Sequence, residues 1–202
     1  VRRRIVLTLT AALAAPPAMA RSDAAQPWPT RPIRLVVPYA AGGPTDVAAR
    51  LLAETLSASL PQRVIVENRT GSGTVVGTGS VASGPRDGHT FLVATVAHVV
   101  NPVLVADLPF DPIAEFRGVV LMGMVPQVVL VTRDAPVRRL PDLLALFRSR
   151  SGDFAYDSAG NGSAQHLAAE LLKKQAGLDV MHLPYRGAAP AVADMLAGKW
   201  PW

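Results

Sequence analysis

A chain of 202 residues, half of them hydrophobic, is long enough to bury a substantial core in one domain or one and a half. It has no cysteine, which excludes disulfides, thiolate metal sites, a cysteine nucleophile and an acylated cysteine. The net charge of +5 falls to +2 once Arg2, Arg3 and Arg4 are set aside, leaving 17 basic against 15 acidic residues, and with only 5% aromatics and scattered bases the composition excludes a nucleic-acid partner.

Residues 1–20 read as an export signal: three arginines, an uncharged apolar run over 5–15, then Pro16-Pro17 and the small triplet Ala18-Met19-Ala20, with cleavage expected after Ala20. The run is too short to cross a bilayer core of about 30 Å, so the mature chain is expected free in the periplasm. Residues 21–32, rich in proline, read as an extended lead-in.

The first strand is expected over 33–37, where a continuous apolar run closed by Pro38 suits a buried parallel strand. Past the Gly42-Gly43 turn, Thr45 offers an N-cap for a helix to Leu60, ended by Pro61. A strand over 64–66, a glycine turn at 71–73, a helix or turn over 74–83, the turn Pro85-Arg86-Asp87-Gly88 and a strand over 90–94 follow. Strands alternating with helices imply right-handed crossovers and a parallel sheet.

Asn101-Pro102 and Leu108-Pro109-Phe110-Asp111-Pro112 read as breakers, and 119–121 and 128–132 as two further apolar runs flanking Pro126, the second of them a candidate strand. A crossing there divides the chain into a first α/β lobe, 33–126, and a partial second one, 127–202. The second is expected to hold a helix over 141–148, a strand over 154–156, a helix over 164–176 capped by Ser163 and stopped at Gly177, a strand over 180–183 and a helix over 188–197 before Gly198. Val192, Met195 and Leu196 of the last helix have no following strand to cover them, and an unfinished parallel sheet favours aggregation.

Four loops share one construction, an apolar strand running into small or polar residues: Tyr39-Ala40-Ala41-Gly42-Gly43-Pro44-Thr45-Asp46, Thr95-Val96-Ala97-His98, Asp157-Ser158-Ala159-Gly160-Asn161-Gly162-Ser163 and Pro184-Tyr185-Arg186-Gly187. Ligands of open α/β sheets sit outside the carboxyl ends of the strands, where helix N-termini favour an anion, most simply a carboxylate. Gly43 and Gly162 would allow close backbone approach to it. Asp46 reads equally as a ligand contact and as a first-turn acid favoured by the helix dipole.

Gly77-Thr78-Gly79-Ser80-Val81-Ala82 matches G-x-G-x-x-A but follows a turn, with no acidic ribose partner at the required distance, so no nucleotide cofactor is expected. His166 and Glu170, four apart on a helix, would hold a metal only if a third ligand such as His182 approached; the solvated pair is the plainer reading, and no metal is expected. Ser163, His166 and Asp157 supply the residue types of a hydrolase triad without a G-x-S-x-G elbow, which leaves a hydrolytic enzyme as the alternative and a helix cap as the better use of Ser163.

Taken together, Trp28-Pro29-Thr30-Arg31-Pro32-Ile33-Arg34-Leu35-Val36-Val37-Pro38-Tyr39, Gly42-Gly43-Pro44-Thr45-Asp46, Val66-Glu67-Asn68-Arg69, Asp87-Gly88-His89-Thr90, Asn101-Pro102, Ser158-Ala159-Gly160-Asn161-Gly162-Ser163-Ala164-Gln165-His166-Leu167 and Pro184-Tyr185-Arg186-Gly187 resemble, in order and spacing, the receptors of tripartite tricarboxylate transporters, the Bug family. The resemblance implies a two-lobed α/β fold of the periplasmic-binding-protein type (type II), here with the second lobe and the return to the first incomplete. It implies a monomeric, non-catalytic receptor that closes on a small organic acid or related metabolite and delivers it to one large and one small membrane subunit. Tyr39, Thr45, Asp46 and Thr95 would face the ligand from the first lobe, and Ser158, Asn161, Ser163, His166 and Tyr185 from the second. Family members run on for roughly a further hundred residues, in keeping with two lobes of ordinary domain size. Here Trp200-Pro201-Trp202 stands where a strand is expected, which reads as interrupted coding sequence and makes a non-functional remnant a further alternative.

Overall fold

The computed structural model describes residues 27–199, so the expected export signal and Trp200-Pro201-Trp202 lie outside the described residues. The first sheet comprises β1 (Ile33–Val37), β2 (Val64–Asn68) and β3 (Thr90–Leu92) in the order β2-β1-β3, all parallel, with Leu35 opposite both Val66 and Phe91. Helices α1 (Pro44–Ser59), α2 (Val75–Ala82) and α3 (Val96–Leu104) follow these strands, and a 3₁₀ turn, Ser72–Thr74, precedes α2. The central strand is the most deeply buried: Ile33, Leu35, Val36 and Val37 are each at most 5% exposed. Ala49 and Ala53 let α1 lie close against them, while Leu52 and Leu56 cover the flank.

After α4 (Leu140–Ser149), the second sheet pairs β4 (Ala155–Ser158) with β5 (Met181–Pro184), again parallel, with α5 (Ala164–Ala176) and α6 (Ala188–Leu196) following them. A small separate core joins Ala135, Val137 and Leu143. No helix among the described residues is long and apolar enough to cross a membrane.

Several elements differ from the sequence reading. The candidate strand over 128–132 does not form, and the apolar run over 119–121 is not a strand either: apart from the Thr132 carbonyl, which accepts from the Ala135 N–H in a local turn, no backbone group of either run bonds to the backbone of another described residue, and a strand without a neighbour satisfies neither its N–H nor its C=O groups. Asn101-Pro102 breaks nothing but lies inside α3. Pro102 sits near the end of that short helix, where one missing donor does little harm. The α1 cap is Gly43, with Pro44 in the first helical position that suits its fixed φ, so Thr45 is already helical. Apolar residues of α6 remain uncovered, with Leu196 82% exposed.

Candidate functional site

With β1 flanked by β2 on one side and β3 on the other, the sheet reverses direction between β1 and β3, and open α/β sheets place their ligands outside the carboxyl ends at such a reversal. Tyr39 follows β1 and Thr95 precedes α3 just beyond β3, and their hydroxyls meet at 2.8 Å across this point. Burial pushes the Tyr39 phenol up, only partly opposed by the Thr95 contact, so it is held neutral.

The β1–α1 loop is braced from behind. Asp46, 2% exposed, accepts from the Gly42 N–H at 2.8 Å, Arg50 Nε at 2.9 Å and Asn68 Nδ2 at 2.9 Å. Asn68 also donates to the Tyr39 carbonyl at 3.0 Å and accepts from Arg50 Nη2 at 3.0 Å, so the end of β2 fixes the loop that leaves β1. Burial works to raise the Asp46 pKa, but Arg50, the Gly42 N–H and Asn68 outweigh it and hold the carboxyl below its ordinary value. In this structure Asp46 shapes the turn that carries Gly43 and Thr45.

In the β4–α5 loop, Ser163 is the N-cap of α5 and accepts from the His166 N–H at 3.3 Å. The Gly162 N–H donates to His166 Nδ1 at 3.2 Å, which makes that nitrogen an acceptor and places the proton of a neutral His166 on Nε2. Ser158, 2% exposed, accepts from the Gly160 N–H at 3.0 Å and meets His182 Nε2 at 2.7 Å. The His166 ring stacks on His182 at 4.2 Å between centroids, and His182 stacks on Tyr156 at 4.9 Å. Burial, then the charge of His166, push the His182 pKa down, partly opposed by Glu170. Asn161 is exposed at the tip of the loop. Tyr185, half-buried in the β5–α6 loop, donates to Asp194 at 3.0 Å.

The loops of the two sheets touch. The Ala40 N–H donates to the Arg186 carbonyl at 2.8 Å, and Gly187, at φ +142°, leaves no room there for a side chain: a Cβ would stand 3.0 Å from Ala40 N. A Cβ on Gly73 would likewise stand 2.9 Å from the Asn161 carbonyl. The loops therefore converge closely; a shallow depression of about 440 Å³ lies at the opposite end of α5, near Gly177 and Leu178.

Residues without a local signature hold this arrangement. Asn101, 2% exposed, donates to the Gly73 carbonyl at 3.0 Å and to Thr74 Oγ1 at 3.1 Å, and it lies beside Gly162. An asparagine inside the apolar α3 was the available signal. His182 and Tyr156, opposite each other in register, became legible only once β4 and β5 paired.

Glu170 accepts from Tyr156 at 2.7 Å and pairs with Lys173, and among the described residues no group of three His, Asp or Glu side chains is placed to hold a metal. Ser163 Oγ is occupied as a cap, and the hydrogen bond of His166 goes to Gly162. In the G-x-G-x-x-A stretch, Gly77 is needed for packing, since a Cβ there would stand 2.6 Å from the Arg69 carbonyl and 2.8 Å from Pro38 Cβ.

Residues 48–200 match the family described as tripartite tricarboxylate transporter family receptor. A protein encoded between tcbD and tcbE in a Pseudomonas species is 38% identical over 98% of this chain and 58% of its own length. Protein BugT of Bordetella pertussis is 36% identical over 96% of this chain and 58% of its own. An R. palustris protein solved with adipate superposes with a TM-score of 0.82 at 36% identity, covering 86% of this chain and 58% of that one. MatC from Rhodopseudomonas palustris with bound malate gives 0.78 at 28% identity, over 86% and 59%. The chain therefore spans less than two thirds of the length of the relatives it matches.

Proposed function

The chain belongs to the tripartite tricarboxylate transporter receptor family, whose members are solute-binding receptors and not enzymes, and from that premise we propose that it captures a small carboxylate between its two lobes. The observation that carries this reading is the convergence of the strand-end loops at the reversal of the first sheet, with Tyr39 and Thr95 spanning it. Helices α1, α3 and α6 all begin there without a side-chain cap, so their first-turn N–H groups and partial positive charges are free of capping oxygens. Such a ring of donors suits a carboxylate. Two solved neighbours, with adipate and with malate, make aliphatic dicarboxylates the first ligands to try.

In this reading Tyr39 and Thr95 face the ligand from the lobe of residues 33–126, with Gly43 and Thr45 presenting the start of α1 and Asp46 holding that turn in place. Asn161, Gly162, Ser163, His166 and Tyr185 serve from the lobe of residues 127–202, with Ser158 positioned by His182. Export to the periplasm, action as a monomer and delivery to a large and a small membrane subunit complete the proposal. Isothermal calorimetry and thermal unfolding with malate, adipate and related mono- and dicarboxylates test it. A ligand at 100 times its Kd stabilises the native state by about 2.7 kcal/mol. Tyr39→Phe and Thr95→Ala should weaken the ligand that gives this shift. Stabilisation left intact in both variants, or no stabilisation by any carboxylate at millimolar concentration, would refute the assignment.

A further inference from the structure

Two imidazoles lie face to face behind the β4–α5 loop: His166, in the first turn of α5, and His182 of β5, with centroids 4.2 Å apart and ring planes 20° from parallel. The Gly162 N–H donates to His166 Nδ1 at 3.2 Å, and that nitrogen is where a neutral His166 takes up its second proton. Protonation there sets two donors against each other and releases the Gly162 amide. One anionic oxygen between them would satisfy both, through hydrogen bonds of the charge-assisted, stronger kind. Glu170, one turn along α5, is already shared between Tyr156 Oη and Lys173 Nζ, each at 2.7 Å. From β4, Tyr156 stacks on His182 and the Ser158 hydroxyl meets His182 Nε2 at 2.7 Å. Asp157 alternates to the other face of β4, where it feels the charge of Asp194 of α6. From the first lobe, α3 brings Val100, Asn101 and Leu104 to Gly162, none of them charged. Among the described residues, no carboxylate forms an ion pair with His166.

We propose that carboxylate capture is coupled to proton uptake at His166: the ring takes a proton from solvent on Nδ1, frees the Gly162 N–H, and the two groups together clasp one carboxylate oxygen. The proposal rests on the receptor reading above and adds its regulation by pH. The ligand supplies the counter-ion that the described residues do not give His166, so binding and protonation favour each other reciprocally. The stack takes up one proton and not two, because a second imidazolium would lie directly against the first. Burial first, then the charge of His166, hold the His182 pKa down, with Glu170 opposing and Lys173 adding to the effect, which leaves the proton to His166. In a ligand-free chain at high pH, the same hydrogen bond keeps the Gly162 amide closed to an incoming anion.

Calorimetric titration of the full chain with malate and with adipate, between about pH 8.5 and about pH 6.5 where aliphatic carboxylic acids stay ionised, tests the coupling. The Kd should fall by at least about fivefold on acidification, and buffers of unlike ionisation enthalpy should register proton uptake on binding. His166→Asn, which keeps an acceptor for the Gly162 N–H but does not titrate, should show a Kd that changes by less than about twofold over the same range. His182→Phe, which keeps the stacked ring, should retain the pH dependence. In the ligand-free wild type, the NMR resonance of the Gly162 amide should titrate together with the His166 ring, a readout that needs neither ligand nor variant. A Gly162 amide that does not follow His166 overturns the coupling whatever the ligand does. Binding with a constant Kd overturns the coupling and leaves the receptor reading standing, whereas no binding of either acid at any pH overturns both. A pH dependence that survives His166→Asn but disappears in His182→Phe places the proton on the other ring and equally overturns the proposal.

Discussion

Replacing Asp46 by asparagine should be among the most destabilising near-isosteric changes in the first lobe. All three partners of its carboxylate are donors: Gly42 N–H and Arg50 Nε converge on Oδ2, and Asn68 Nδ2 binds Oδ1. An amide offers one acceptor oxygen, so whichever way it is turned, an NH₂ group faces a donor. Turning Asn68 to compensate would abandon the Tyr39 carbonyl and Arg50 Nη2, to which it is already bonded. Loss of one hydrogen bond to a charged acceptor at a side chain 2% exposed, and weakening of two more, amounts to about 2–3 kcal/mol. Arg50→Ala should cost below about 1 kcal/mol, because the Arg50 side chain is 53% exposed and returns to water while Asp46 keeps two of its donors. Urea unfolding of the wild type and both variants measures the difference. The Asp46 pKa is lowered on folding, so its stabilisation is fully present above about pH 4 and is lost as pH falls through the folded value. The gap between wild type and Asp46→Asn should therefore close in acid. An asparagine variant within about 0.5 kcal/mol of wild type at pH 7, or an Arg50→Ala variant equally destabilised, would refute the bracing role.

Three further outcomes follow from the geometry. Gly77→Ala should lower stability by about 1–3 kcal/mol by forcing a Cβ against the Arg69 carbonyl and Pro38, whereas Gly79→Ala, whose Cβ would meet Phe110 at an ordinary 3.5 Å, should be neutral or gain up to about 1 kcal/mol of helix propensity; thermal melts of the pair separate packing from nucleotide use. Gly187→Ala, at φ +142° and 3.0 Å from Ala40 N, should cost about 1–3 kcal/mol and speed hydrogen exchange at the Ala40 amide, whose bond to Arg186 joins the two lobes. Because the His182 pKa is lowered on folding, the unfolded chain takes up the proton first as pH falls through about 6.5, and stability declines there; His182→Phe, which keeps a ring between Tyr156 and His166, should flatten the slope of stability between pH 7.5 and 5.5.

Local pattern was enough to identify β1, because a strand buried on both faces must be apolar throughout, and 33–37 is. It also located the strand-end loops and the Ser163 cap, since tight turns and helix starts restrict residue type through backbone conformation alone. What it could not supply were partners distant in the chain. Asn68 behind Asp46, Asn101 beneath Gly73 and His182 against Ser158 are polar residues whose use depends on which elements become neighbours, and their sequence surroundings carry no record of that choice. The same reason explains the one large disagreement. Residues 118–132 have the composition of strands, but a strand is a relation between two stretches of backbone, and composition specifies only one of them. Apolar pattern therefore determined what each segment would form if paired, and tertiary structure alone decided which segments found a pair.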